Sequence, residues 1–375
     1  MKVMLAEPRR SAPVATGLSH GPRPTPEHAA TAVKRALARA GLERAAGVLL
    51  FLTPDYAAEP EPALRAAARA ANTLQVVGAT GAGVLTDEEW LLDSPGAAAM
   101  VFGDPLQLRA FARRAGENAV LSLCTPAGLS SEWFDLPVPR IGAVSGDVFG
   151  NGPFKVWSGC RVNDSGRVEV EIENTVSVLH ASQGVRALTS PIQVAEVKGL
   201  DVLRLGNYPA LNVLVKSLPL GVRDMDRIPL HLIMGGVTFG DPNDAIREGR
   251  YRLNHIVSAN PGNQSITFAQ PLARGERLFW AMRDTLAAER DMNATLERAG
   301  RELGEAPDFA LLFPCMGRGP NFFGNRDRDL DLLKARFPGL PVIGCYGNGE
   351  IGPLDGHNHL YQYSVVVGLF KARAH

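Results

Sequence analysis

Ala310-Leu311-Leu312-Phe313-Pro314-Cys315-Met316-Gly317-Arg318-Gly319, and then Leu340-Pro341-Val342-Ile343-Gly344-Cys345-Tyr346-Gly347-Asn348-Gly349-Glu350-Ile351-Gly352-Pro353, decide how this chain folds. Residues 309–313 and 341–343 are short apolar runs, the pattern of strands buried on both faces. Between them 327–336 reads as a helix with Leu330, Leu332 and Leu333 inside, and 363–370 reads as a further strand. Working outward, the same order appears earlier. A strand at 47–51 precedes an Ala/Arg-rich helix near 61–71 and a strand at 74–77. The loop Gly78-Ala79-Thr80-Gly81-Ala82-Gly83 and a strand at 96–102 follow. A partial third copy lies between, with strands at 119–124 and 139–141 and the loop Gly142-Ala143-Val144-Ser145-Gly146-Asp147. The expected fold is α/β with α+β elements: two pseudo-repeated strand–helix–strand–glycine-loop units around an antiparallel, β-rich middle. Glycine suits a strand that turns sharply or lets another backbone come close. Such strand ends are also where α/β sheets hold ligands.

The remaining segments fit this plan. Thr25-Pro26-Glu27 supplies an N-cap, a proline at N1 and an early acid, and Gly41 closes the helix. Residues 166–173 alternate Val168, Val170 and Ile172 with charged residues, as a half-exposed antiparallel strand does. Residues 191–197 and 202–205 read as a hairpin around Lys198-Gly199. A short helix near 210–217 follows, and a long amphipathic helix spans about 283–303. Leu218-Pro219-Leu220-Gly221 is the candidate domain boundary.

Composition excludes several classes of function. The 375 residues are 45% hydrophobic and 21% charged, too apolar for a disordered chain. Lys+Arg and Asp+Glu are both 39, so no global positive field exists to hold nucleic acid or an anionic membrane. The four cysteines, Cys124, Cys160, Cys315 and Cys345, form no C-x-x-C pair and read as reduced thiols. No signal-peptide pattern opens the sequence and no apolar run is long enough to span a bilayer, so a cytoplasmic location is expected. No P-loop or G-x-G-x-x-G occurs at the glycine loops, which disfavours nucleotide binding.

The candidate site residues are Cys315, Arg318, Tyr346, Asn348 and Glu350. Arg318, between two glycines, either clamps a ligand carboxylate with its planar fork or braces its own loop. Glu350 either receives a ligand's amino group or pairs with Arg318. Asn348 offers both donor and acceptor, and Asn between glycines also suits an αL turn. Cys315 would be a nucleophile if Arg318 stabilised its thiolate, but no triad partner is placed by spacing. His357-Asn358-His359 lacks a clear third metal ligand, so no metal is expected. Val84 stands where Glu350 does, and Thr53-Pro54-Asp55 near where Gly317-Arg318-Gly319 does. The charged pair is therefore peculiar to the C-terminal unit, and the expected site is a concave pocket between the halves. Arg318→Ala is expected to abolish ligand binding at a cost of only ~1–2 kcal/mol.

These residues resemble the FIST domain family. The carriers are Phe313-x-Cys315-x-Gly317-Arg318-Gly319 and Gly347-x-Gly349-Glu350-Ile351-Gly352-Pro353, with Gly78–Gly83, Ile141–Gly146 and the Gly206-x-Tyr208-Pro209-Ala210 segment in the N-terminal half. The resemblance implies a FIST N-terminal domain at 15–220 and a FIST C-terminal domain at 221–370. It implies a sensory module that binds a small ligand, an amino acid or a relative of one. Relatives often sit ahead of signalling domains. Here the resemblance consumes the chain, so a separate signalling protein is the expected partner. Some relatives bind haem, which needs an axial histidine; His180, His231 and His255 are the internal candidates. Many relatives carry Arg at the fourth place of Y-x-x-R, where this chain reads Tyr251-Arg252-Leu253-Asn254. The remaining alternatives are a cysteine-dependent enzyme and a haem-based gas sensor.

Overall fold

A computed structural model describes residues 13–112, 118–223, 225 and 228–373. The fold is mixed α/β. It divides into two compact units: the described residues up to Ala181 with those from Thr295 onward, and Ser182–Ala294. The candidate boundary at 218–221 therefore falls inside the second unit.

The larger unit holds three six-stranded sheets built to one plan. At the centre of each is a parallel pair: Gly47–Leu52 with Val76–Thr80, Val120–Cys124 with Arg140–Val144, and Phe309–Pro314 with Val342–Tyr346. An antiparallel strand flanks the first member of each pair: Gly96–Phe102, Arg167–Glu173 and Val365–Ala372. The chain then leaves the second member and crosses to another sheet. Gly83–Thr86 pairs with Val342–Tyr346, Glu350–Leu354 with Arg140–Val144, and Val156–Ser158 with Val76–Thr80. Each sheet thus receives its next strand from a different sheet, in a closed cycle.

The parallel pairs are buried and largely apolar because both faces are covered, with Thr80, Ser122 and Arg140 as buried polar exceptions. Their inner faces share one core, in which Phe51 meets Phe313 edge to face at 5.8 Å and Phe102 meets Phe309 at 5.3 Å. The helices Pro26–Ala40 and Glu61–Ala71 cover the outer face of the first sheet through Ala32, Val33, Ala36, Leu64 and Ala67. Gly41 ends the first helix in the αL conformation, as its residue type predicts, although the Thr25 side chain makes no capping bond.

Three glycines have one physical cause. A Cβ on Gly78, Gly142 or Gly344 would lie 1.7, 1.8 or 1.6 Å from the carbonyl oxygen of Leu50, Ser122 or Leu312 on the neighbouring strand. Any side chain there would force the parallel pair apart.

The second unit is an antiparallel sheet that closes on itself. Its strands run Arg277–Arg283, Ile192–Lys198, Asp201–Leu205, Ser265–Phe268, Tyr251–Asn260 and Ile233–Thr238, and the last pairs back with the first. Closure removes the open edges. The expected hairpin around Lys198-Gly199 is present, with Gly199 at φ +61. Asn254 faces Gln270, exchanging bonds with its backbone N–H and C=O, while Arg252 reaches Gln270 and Glu276 from the same strand.

Candidate functional site

The glycine loops meet through one repeated set of backbone bonds. Gly81, Ser145 and Gly347 donate to the carbonyls of Leu52, Cys124 and Pro314. Thr53, Thr125 and Cys315 donate to Gly96, Gly166 and Ser364. Ala82 donates to Tyr346 at 2.9 Å, and Asn348 to Val144 at 3.0 Å. The strands that cross over place Val84 opposite Cys345, Val156 opposite Ala79, and Glu350 opposite Ala143. These matched positions separate what the scaffold requires from what it does not. Where the third loop set has Cys315, Ser364 and Glu350, the other two have threonines, glycines and valines.

Glu350 is fully buried. Its Oε2 accepts from the Ser364 hydroxyl at 2.7 Å, and its Oε1 has no hydrogen-bond partner among the described residues. Burial pushes its carboxyl well above the usual range, outweighing the opposing pull of Ser364, Cys315 and Arg318. Cys315, beside it, is also buried, and burial followed by the Glu350 charge drives its thiol upward. Backbone groups of Tyr363 and Gly317 hydrogen bond this sulfur and pull the other way. Burial also raises the Cys345 thiol, and Cys124 is pushed up to about 12. A thiol held protonated is a weak nucleophile, the opposite of what the cysteine-enzyme reading requires.

Arg318 does not hydrogen bond Glu350. Its Nε and Nη2 donate to both carboxylate oxygens of Asp329, each at 2.9 Å, with both side chains 1% exposed. The brace is thus a side-chain pair joining the loop after Phe309–Pro314 to the helix Arg328–Arg336. Tyr346 donates its hydroxyl to Asp327, which also caps that helix by accepting from the Leu330 N–H at 2.9 Å. Burial, then the Asp329 charge, lifts Asp327 to about 6. Asn348 is half-buried and packs against Gly146, and its Nδ2 reaches the Asp147 carbonyl at 3.4 Å. It is Gly349, at φ +143, and not Asn348 that takes the positive φ.

The structure therefore gathers all five predicted residues at the loops following Phe309–Pro314 and Val342–Tyr346, with four of the five side chains buried. Cavities of about 650, 540 and 480 Å³ lie elsewhere, and none of the five residues lines them. Asp327, Asp329, Tyr363 and Ser364 were not singled out by sequence. The two aspartates carried a signal, an acidic pair at the start of the helix after the Gly-Arg-Gly loop; Ser364 carried none. Among the described residues no group of three or more His, Cys, Asp or Glu is placed to hold a metal ion. His180 is held by Glu302 at 2.8 Å and His231 is exposed. No helix among the described residues is long and apolar enough to cross a membrane.

Residues 204–353 match the FIST C domain family, a stretch that runs through both units. An uncharacterised Mycobacterium tuberculosis protein, MT0656, is 30% identical over 252 residues, covering 65% of each chain. The uncharacterised Mycobacterium bovis protein Mb0898c is 29% identical over 248 residues, covering 65% of this chain and 64% of its own. The chain thus matches a little under two thirds of the length of these relatives. What ties this chain to the FIST family is its FIST C domain, residues 204–353.

Proposed function

We propose that this protein is a small-ligand-binding sensor, that its ligand is an amino-acid-like metabolite, and that a separate signalling protein reads the bound state. Membership of the FIST family supports the sensory role. The site is assigned to the loops that carry Cys315, Arg318, Tyr346, Asn348 and Glu350. One observation carries this assignment: a buried carboxyl, one oxygen of which has no hydrogen-bond partner among the described residues, stands where the matched strands have Val84 and Val156. Leaving a buried polar atom unsatisfied costs stability, and the scaffold does without it twice. The carboxyl therefore serves something other than folding. Arg318, committed to Asp329, supports the loop from behind, and Asn348 contributes at the half-buried rim.

The test is a thermal-shift screen of amino acids, keto acids and related metabolites on the parent and on Glu350→Val. The valine copies the residue at the two matched positions, so this variant keeps the scaffold. A ligand raises the melting temperature of the folded form by mass action. The expected result is a compound that stabilises the parent and leaves Glu350→Val unmoved. Equal shifts in both proteins, or none in the parent, would place the function elsewhere.

A further inference from the structure

Tyr363 holds a backbone conformation that its residue type disfavours. Its φ is 54°, in the left-handed region, where a bulky side chain is an outlier. Its half-buried ring lies across Gly317: a Cβ there would stand 2.3 Å from two ring carbons, so only glycine admits the ring. The next residue ties this segment to the buried pair, since the Ser364 hydroxyl donates to Glu350 and its carbonyl accepts from the Cys315 N–H at 2.9 Å. Residues preceding the matched glycines Gly96 and Gly166 are Pro95 and Ser165, so the other two loops have no aromatic at this position.

Charge decides what this buried cluster accepts. The buried groups here are one guanidinium, Arg318, and three carboxyls, Asp327, Asp329 and Glu350. Asp329 already neutralises Arg318. Burial alone disfavours the Glu350 anion; a second anion would add to that cost, whereas a cation would offset it by pairing with the ionised carboxylate.

We propose that Tyr363 gates access to the buried site at which Glu350 receives the amine of a small cationic ligand. Leaving the αL conformation lifts the ring from Gly317 and shifts Ser364, opening the way to Cys315 and Glu350 together. This rests on the reading of Glu350 as the ligand's contact, but the gate is testable without any metabolite.

The experiment is native labelling of the full chain with methyl methanethiosulfonate, read at each cysteine by peptide mass spectrometry. Tyr363→Gly removes the ring and relieves the backbone. Tyr363→Asn removes the ring while tolerating αL, and it decides the matter if the glycine variant does not fold. Cys315 is expected to label about tenfold faster or more in these variants, with the equally inward Cys124 unchanged. Unchanged Cys315 labelling, or Cys315 and Cys124 rising together, overturns the gate. In the open variant, methylammonium is expected to slow Cys315 labelling and acetate at equal ionic strength is not, with the protection lost in Glu350→Gln. Protection by acetate, or by neither ion, overturns the cationic ligand. A metabolite that stabilises the parent and not Glu350→Val, alongside failed labelling, sinks the gate alone.

Discussion

Replacing Arg318 with alanine removes a cation that donates twice to one carboxylate, with both partners almost wholly out of water. On sequence grounds the loss is that of one charged hydrogen-bonding group, ~1–2 kcal/mol. The structure raises that figure. Asp329 would be left buried and unpaired, which costs about 3–5 kcal/mol. Its alternative is to take up a proton, which at pH 7 costs up to about 4 kcal/mol for an ordinary aspartate, at about 1.4 kcal/mol per pH unit. Both routes lead to a loss of about 3–5 kcal/mol near neutrality, shrinking as the pH approaches 4. Removing both charges, as Arg318→Met with Asp329→Leu, leaves no orphan and is expected to cost much less than the two single losses summed. Urea unfolding followed by the fluorescence of buried Trp133 and Trp157, which lie in the same unit, measures all three variants. A loss below about 1 kcal/mol for Arg318→Ala, or a double variant as damaged as the sum of its parts, would refute the account of this pair.

Two further outcomes are expected from the scaffold. Gly344→Ala pushes a methyl group onto the Leu312 carbonyl and should cost several kcal/mol, about 3 or more, whereas exposed Gly356→Ala should cost only about 1 kcal/mol from its φ of +79; equal losses by urea unfolding would contradict the packing argument. Asp327 is lifted to about 6, so between about pH 4 and 6 the folded state keeps a proton that the unfolded chain has released, and stability falls as the pH rises through that window. Asp327→Asn keeps the cap and removes the titration, so the parent should lose roughly 2–3 kcal/mol relative to this variant between pH 4 and 7; parallel pH–stability curves would show that Asp327 is not strained by its burial.

Much of this protein is legible in one dimension. Strands buried on both faces write themselves as apolar runs, and the glycines at 78, 142 and 344 mark where backbones touch, because both constraints act on the residue itself. The five candidate site residues stand out in the same way, by their place in glycine-rich stretches at strand ends. What they do there was not legible. Sequence leaves Arg318 to a ligand, to Glu350 or to its own loop, yet it pairs with Asp329, because the helix Arg328–Arg336 brings its first turn back over the loop. The carboxyl of Glu350 is satisfied on one side by Ser364, which reaches it only because Val365–Ala372 returns beside Phe309–Pro314. The cyclic exchange of strands among three sheets also left no trace in local pattern. Hydrophobic period reports which face of a strand is buried, but the choice of neighbouring strand is made by the whole core, where every inner face must meet the other two.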